Sequence, residues 1–165
     1  MLGPESRLQM APLNIHEVLE HIRKIMVAAE PERIRFHRDY DPSIPDMTAD
    51  RDLLIQAFLN IARNAVQAID GEGEVHFRTR ILRQCTIGKK NHPLAVQIDI
   101  VDSGRGIAEE LAETIFLPMI TDKPDGSGLG LPIAQDIVSR HGGTILLQSS
   151  SAGTTFSTIL PLEST

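Results

Sequence analysis

A strongly amphipathic segment from about Asp50 to Ile69 limits the folds that this chain can adopt. Its apolar side chains recur every three or four residues, the period of an α-helix with one buried face, and Gly71 and Gly73 follow as terminators. Such a helix must cover another layer of structure. The residues of its apolar stripe are Leu54, Ala57, Phe58, Ile61, Ala65, Ala68 and Ile69.

Alternating apolar and polar side chains supply that layer as β-strands. The predicted strands are about 34–40, 75–86, 94–102, 144–150 and 154–161. The other predicted helices are about 15–26, 108–116 and 129–142, the first with Asn14 and Glu17 as a capping box. Residues 1–12 are expected to form a loose leader. We therefore expect one α/β domain with a mostly antiparallel sheet.

Charge and cysteine content exclude several classes of protein. The 165 residues include 16 basic and 22 acidic side chains, a net charge of −6, which argues against a non-specific nucleic-acid or anionic-membrane binder. The single cysteine cannot form an intrachain disulfide. The sequence has no run of 18 apolar residues and no signal-peptide core at its start, so a cytoplasmic setting is expected.

A polar stripe lies beside the apolar one on the long helix. Asn60, Asn64 and Gln67 follow at steps of four and three, so they share one face. Amide oxygens are hard, neutral ligands suited to Mg²⁺, which takes its other ligands from water and phosphate. An exposed or hydrogen-bonded polar edge is the alternative, and the helix alone favours that alternative.

Two glycine-containing segments are candidates for ligand binding. Asp102 ends a predicted strand and is followed by Gly104 and Gly106, so a carboxylate could accept from an amino group while the backbone passes close to a flat ligand. The segment from Gly126 to Gly130 precedes a helix whose N-terminal amides could bind an anion. Each has a plain alternative, an Asp-x-Gly turn and a flexible helix entry.

The order of these motifs is far more specific than any one of them. NIARNAVQA, DSGRG, FLPM, GSGLGLPIAQDIV and GTTF together resemble the N, G1, F, G2 and G3 boxes of the histidine kinase ATP-binding domain, a relative of Hsp90, gyrase B and MutL. The segments RDYDPSIP, NIARNAVQAI and FLPMI resemble the nitrogen-regulation sensor kinases in particular. The resemblance implies a two-layer α/β sandwich of the Bergerat type, with about five strands in a mixed sheet and three helices on one face. That domain would span 13–163, after a leader or linker at 1–12 from a missing dimerisation domain.

The resemblance also assigns site residues. Asn64 corresponds to the family's Mg²⁺ ligand and Asp102 to its adenine-binding aspartate, while Asn60, Asn64 and Lys123 would be catalytic. Gln67 departs from the basic residue common in other kinases, which leaves open whether Arg63 or Lys123 contacts the phosphates. The further ATP-binding residues implied are Arg63, Gln67, Gly104, Gly106, Ile107, Phe116, Lys123, Gly126, Ser127, Gly128, Leu129, Gly130, Leu131 and Thr155, with residues 117–127 as a lid.

The implied activity is that of an ATP-dependent protein-histidine kinase, in which Mg·ATP phosphorylates a histidine on the separate dimerisation domain. A response regulator of the NtrC type and the PII signalling protein are the implied partners, and the isolated piece is expected to be monomeric. Related ATPases use a glutamate one turn before the magnesium asparagine to activate water; here that position is Asn60, which cannot act as a general base. His16 lacks the Asn-Pro of the family's phosphoacceptor sequence, and His141 is expected to cap the last helix as a cation.

Two alternatives remain at this stage. One is a related ATPase or a protein-serine kinase, and the other is a non-catalytic nucleotide-sensing module.

Overall fold

The computed structural model describes residues 8–103, 130–150 and 153–162, which form a five-stranded sheet with helices on one face and a separate two-stranded sheet. The helices are α1 (Ile15–Ala29), α2 (Arg51–Gln67) and α3 (Gly130–Arg140). The strands are β1 (Ala11–Leu13), β2 (Ile34–Asp39), β3 (Met47–Ala49), β4 (Gly73–Ile87), β5 (Lys90–Asp102), β6 (Thr144–Ser150) and β7 (Gly153–Pro161). The predicted helix near 108–116 and the lid at 117–127 lie outside the described residues.

The large sheet has the order β2-β4-β5-β7-β6, and β1 pairs with β3 in the small one. Only β2 and β4 are parallel neighbours in the large sheet; the other three pairings are antiparallel. This arrangement confirms the predicted mixed, mostly antiparallel sheet with three helices on one face. No helix of the described residues is long and apolar enough to cross a membrane.

Helix α2 forms where its apolar period predicts, and it supplies the centre of the core. Leu54, Phe58 and Ile61 are fully buried, and the helix packs against α1, α3 and β5. Its first turn is capped by Asp50, whose Oδ1 accepts from the Leu53 N–H at 3.1 Å. At α1, the Asn14 side chain likewise accepts from the His16 N–H at 2.9 Å, which confirms the Asn14 half of the predicted capping box.

Two local predictions differ from the structure. Ala11 and Pro12, expected in a loose leader, pair with β3 together with Leu13, and the Gln9 N–H donates to Asp50 Oδ2 at 2.7 Å. Strands of three residues are too short to show a period, so the sequence analysis predicted neither β1 nor β3. The turn between β4 and β5 is also tighter than predicted, with only Gly88 (φ +63°) and Lys89 between the strands. Pro93 lies within β5 and does not end it. The sheet accommodates this proline because the part of β5 around it extends beyond the end of β7 and pairs only with β4.

His141 links the end of α3 to the start of α2, and the expectation that it is a cation is wrong. The Nδ1 atom lies 2.8 Å from the Ile137 carbonyl oxygen, while the Asp50 N–H donates to Nε2 at 3.0 Å. A ring that donates at Nδ1 and accepts at Nε2 is a neutral tautomer. A cationic ring has no acceptor and would break the bond to Asp50.

Replacing His141 with alanine is expected to lower the free energy of unfolding by about 1–3 kcal/mol, because the half-buried Asp50 N–H loses its acceptor. Urea unfolding followed by circular dichroism measures this loss. His21→Ala is the matched control, since His21 is an exposed histidine on α1. Equal urea midpoints for wild type and His141→Ala would show that the hydrogen bond between Asp50 and His141 contributes nothing to stability.

A second polar link joins α1 to β2 and the residue that follows it. Glu20 accepts from Arg23 at 2.8 Å and from the Tyr40 hydroxyl at 2.8 Å, and it also pairs with Arg38. These contacts, the hydrogen bond from Arg23 above all, lower the pKa of Glu20 to about 2. Burial, with the bond to Glu20, raises the pKa of Tyr40.

Glu20→Gln is therefore expected to cost about 1 kcal/mol at pH 7, after allowance for solvent screening. Because the folded pKa of about 2 lies below the unfolded value of 4.5, the carboxylate's contribution is present above pH 4.5 and is lost as pH falls towards 2. Urea midpoints across this pH range should therefore converge for variant and wild type. Glu17→Gln is the control, since Glu17 is 69% exposed and 3.9 Å from Arg51. A difference that stays constant down to pH 2 would contradict the assignment.

Candidate functional site

The end of β5 brings a buried carboxylate to the helix-covered face of the sheet. Asp102 lies opposite Val75 of β4 and Thr154 of β7, and it is 2% exposed. Asp99, three residues earlier, lies on the other face, where it pairs with Arg78 at 3.1 Å. The two aspartates therefore form no catalytic carboxylate pair, as the strand period predicts.

The turn into β7 closes tightly around Asp102. The Thr154 N–H donates to Asp102 Oδ1 at 3.4 Å, and the buried Thr154 Oγ1 has no hydrogen-bond partner within the described residues. A Cβ at Gly153, whose φ is +144°, would lie 1.9 Å from the Asp102 carbonyl oxygen. Only glycine fits at this position, and it lets the start of β7 lie close to the end of β5 beside the Asp102 carboxylate.

Reciprocal hydrogen bonds hold the end of β5 in place. The Ser103 N–H donates to the Glu74 carbonyl oxygen at 3.1 Å, and the Glu74 N–H donates to Ser103 Oγ at 2.9 Å. A Cβ at Gly73 would lie 2.6 Å from Ile69 Cγ2 and 2.9 Å from Ser103 Oγ, so glycine at this position lets both side chains approach the backbone closely. The position of Asp102 is thereby fixed before any ligand binds.

The polar stripe on α2 contains one buried amide. Asn64 is 5% exposed, and its Nδ2 donates to the Asn60 carbonyl oxygen at 2.8 Å. Because the nitrogen makes this bond, the oxygen is the atom that can coordinate a cation. Asn60 is half-buried, whereas Arg63 and Gln67 on the same stripe are exposed. The burial of Asn64 excludes an exposed polar edge, whereas its bond to the Asn60 carbonyl oxygen also fits a hydrogen-bonded one.

The first turn of α3 contains two further residues that the sequence predicts for the site, Gly130 and Leu131. The helix begins at Gly130, and Leu131 packs in the core at 1% exposure. Pro132 has no N–H, so the amide donors of this turn belong to Gly130, Leu131 and Ile133. Any contact of Leu131 with a phosphate would come from its backbone.

The sequence-predicted site residues fall into four groups. Asn60, Asn64 and Asp102 belong to elements that pack against each other on the helix-covered side of the sheet. Thr155 lies opposite Val101, on the other face of β7 from Thr154, so the structure favours Thr154 as the threonine of this site. Strand alternation from Asp102 could have identified it. Arg63 and Gln67 on α2 and Gly130 and Leu131 at the start of α3 are the other described ones. The rest lie outside the described residues: Gly104, Gly106, Ile107, Phe116, Lys123, Gly126, Ser127, Gly128 and Leu129.

The described residues fit a magnesium nucleotide. Asp102 offers an acceptor to the edge of a purine, and the buried Thr154 hydroxyl offers a donor and an acceptor. Asn64 offers an oxygen to a hard cation. The N-terminal amides of α3 are donors of the kind that bind phosphate.

Comparison with known proteins agrees with this chemistry. The family model "Histidine kinase-, DNA gyrase B-, and HSP90-like ATPase" matches residues 49–164. The chain is 38% identical over 98% of its length to the "Sensory histidine kinase/phosphatase NtrB" of Vibrio alginolyticus, and 39% identical over 99% to that of Escherichia coli O157:H7. It spans 47% of the length of each of these relatives.

Solved structures agree at the level of the fold. The catalytic domain of histidine kinase ThkA superposes with a TM-score of 0.81 and 26% identity, covering 94% of this chain and 97% of that one. Full-length ShkA in complex with AMPPNP gives a TM-score of 0.77 and 25% identity, covering 97% and 32%. ThkA in complex with the response regulator protein TrrA gives a TM-score of 0.74 and 24% identity, covering 93% and 42%.

Proposed function

Because the chain belongs to the family of histidine kinase-, DNA gyrase B- and HSP90-like ATPases, we propose that it is the ATP-binding catalytic domain of an NtrB-type sensory histidine kinase. It binds Mg·ATP and transfers the γ-phosphoryl group to a histidine on a dimerisation domain. We assign residues 13–163 to this domain and 1–12 to the linker that precedes it, with Ala11 and Pro12 at the end of the linker paired to β3.

The observation that carries this proposal is the similarity to NtrB over nearly the whole chain, at 38% identity. The geometry adds a physical reason for each role. Asp102 and Thr154 lie together at the end of β5, where they can recognise the amino edge of adenine. The oxygen of Asn64 would hold Mg²⁺, and Mg²⁺, when bound, neutralises charge on the phosphates.

Asn60 favours a kinase over a hydrolase. Its position one turn before Asn64 is the place from which a general base could activate water, and a neutral amide cannot accept a proton there. Positioning and charge neutralisation would then carry the reaction, with the histidine as the nucleophile. Lys123 is our further candidate for a phosphate contact and, with Asn60 and Asn64, for a catalytic role.

His16 is not the phosphoacceptor in this proposal. Its Nε2 lies 2.9 Å from Thr79 Oγ1, its ring stacks on Tyr40 at 4.6 Å, and burial lowers its pKa. The acceptor histidine therefore belongs to the dimerisation domain.

The proposed partners follow from the relatives. ThkA has been solved with a response regulator protein, and the NtrB relatives are named kinase/phosphatases, so a response regulator of the NtrC type is the proposed downstream partner. We further propose control by the PII protein, a cytoplasmic location, and a monomeric state for this piece. The net charge of −6 speaks against nucleic acid or an anionic membrane as a partner.

Phosphotransfer between separate domains tests the proposal. The chain is incubated with γ-labelled Mg·ATP and the dimerisation domain of the Escherichia coli O157:H7 relative, and the label is followed after acid and base treatment. Acid-labile label on the acceptor is expected. Acid-stable label would indicate a serine kinase, phosphate release without an acceptor would indicate an ATPase, and binding without turnover would indicate a nucleotide-sensing module.

A further inference from the structure

The outer face of the sheet, opposite the helices, carries a cluster of metal-ligating side chains at its β2–β4 edge. His37 of β2 lies directly opposite His76 of β4 in the parallel register, and Glu74 lies two residues before His76 on the same face. One ligand atom from each of the three lies within 4.8 Å of the other two. The proposed nucleotide site uses none of these side chains, because Asp102 and Asn64 lie on the helix-covered side.

The three side chains are already associated. His37 Nε2 lies 2.7 Å from Glu74 Oε1, and the rings of His37 and His76 stack with centroids 4.5 Å apart and planes 17° from parallel. A tetrahedral zinc ion with bonds of about 2.0–2.1 Å needs ligand atoms roughly 3.3 Å apart. The side chains of His37 and Glu74 are 42% and 39% exposed, so they can adjust by the ångström or so that this requires.

Two side chains of this cluster have lowered pKa values. Burial, followed by the neighbouring His37, lowers the pKa of His76, and the hydrogen bond to His37 lowers the pKa of Glu74. Neutral imidazole and ionised carboxylate are the forms that ligate metal. Arg35 lies 3.8 Å from Glu74 Oε2 and leaves Oε1 as the ligand atom nearest His37.

We propose that His37, Glu74 and His76 form a second cation site, which binds a first-row divalent transition metal ion such as Zn²⁺ with water completing the coordination. Two imidazoles and one carboxylate are a ligand set that zinc accepts and that Mg²⁺ does not favour. The ion would join β2, the edge strand, to its only neighbour in the large sheet, β4. Binding is therefore expected to stabilise the fold.

Calorimetric titration of the untagged protein with zinc chloride tests the site. We expect one zinc ion per chain, and at least about tenfold weaker binding for His37→Ala and for His76→Ala. Glu74→Gln should also weaken binding. At a zinc concentration about ten times the wild-type Kd, the thermal midpoint should rise by roughly 3–6 °C, and neither histidine variant should show this rise.

Two variants serve as matched controls, and Mg²⁺ serves as the control ion. His21→Ala removes an exposed histidine of α1, and Cys85→Ser removes the single thiol; both should leave the zinc affinity unchanged. Mg²⁺ should not compete for the site. The absence of zinc binding, or a zinc affinity that survives either histidine substitution, would overturn the proposal, while circular dichroism verifies that each variant is folded.

Discussion

Asn64→Ala is expected to weaken Mg·ATP binding by about 100-fold, or roughly 2.7 kcal/mol, while leaving the affinity for ATP without Mg²⁺ almost unchanged. The substitution removes the buried oxygen that would hold the ion, and alanine retains the helix. Calorimetric titrations with ATP, in Mg²⁺ and in a chelator, measure the two affinities separately. The metal-free titration also verifies that the nucleotide site is intact.

Gln56→Ala is the matched control for this experiment, because it removes an exposed amide from the same helix. It should change neither affinity. If Asn64→Ala kept the full enhancement of ATP binding by Mg²⁺, the assignment of the metal ligand would be wrong. Thermal melting of both variants separates a loss of binding from a loss of folding.

Asp102→Asn is expected to change the base preference of the site. The variant can still accept from the Thr154 N–H through its amide oxygen, so the strand ends should keep their positions. Its amide nitrogen then replaces an acceptor with a donor, which faces the 6-amino group of adenine unfavourably but suits the 6-oxo group of guanine. We expect ATP to bind about 100-fold more weakly and GTP to change by less than about threefold.

Competition titrations with the two nucleotides measure this ratio. Asp99→Asn is the control, because it removes a buried carboxylate from the same strand but on the opposite face, beside Arg78. It should lower stability without changing the ratio of ATP to GTP affinity. Equal losses of ATP and GTP in Asp102→Asn would remove the proposed base-recognition role.

Features encoded within a few turns of chain could be predicted from the sequence. The apolar period gave α2 almost to its ends, since the observed helix runs from Arg51 to Gln67 and its cap is Asp50. The order of the motifs identified the family before any geometry was known. The helix period and the order of the motifs can both be read along the chain, so neither prediction needs a contact between distant residues.

Other features of the site depended on how the strands pair. The resemblance matched both Thr154 and Thr155 to the last box and gave Thr155 as the nucleotide contact, and the register with β5 brings Thr154 to the side of Asp102. A single step along a strand reverses the face of a side chain, so motif matching alone could not separate these two neighbours.

By itself, the sequence determined the helix periods and the caps, because each follows from local spacing, and the order of its motifs identified the family. Only the tertiary structure decided which tautomer His141 adopts, which threonine accompanies Asp102, and that His37 lies against His76 across 39 positions of chain. Those properties arise from pairing between distant segments. The pairing is fixed by the packing of all layers at once, so no stretch of neighbouring residues encodes it.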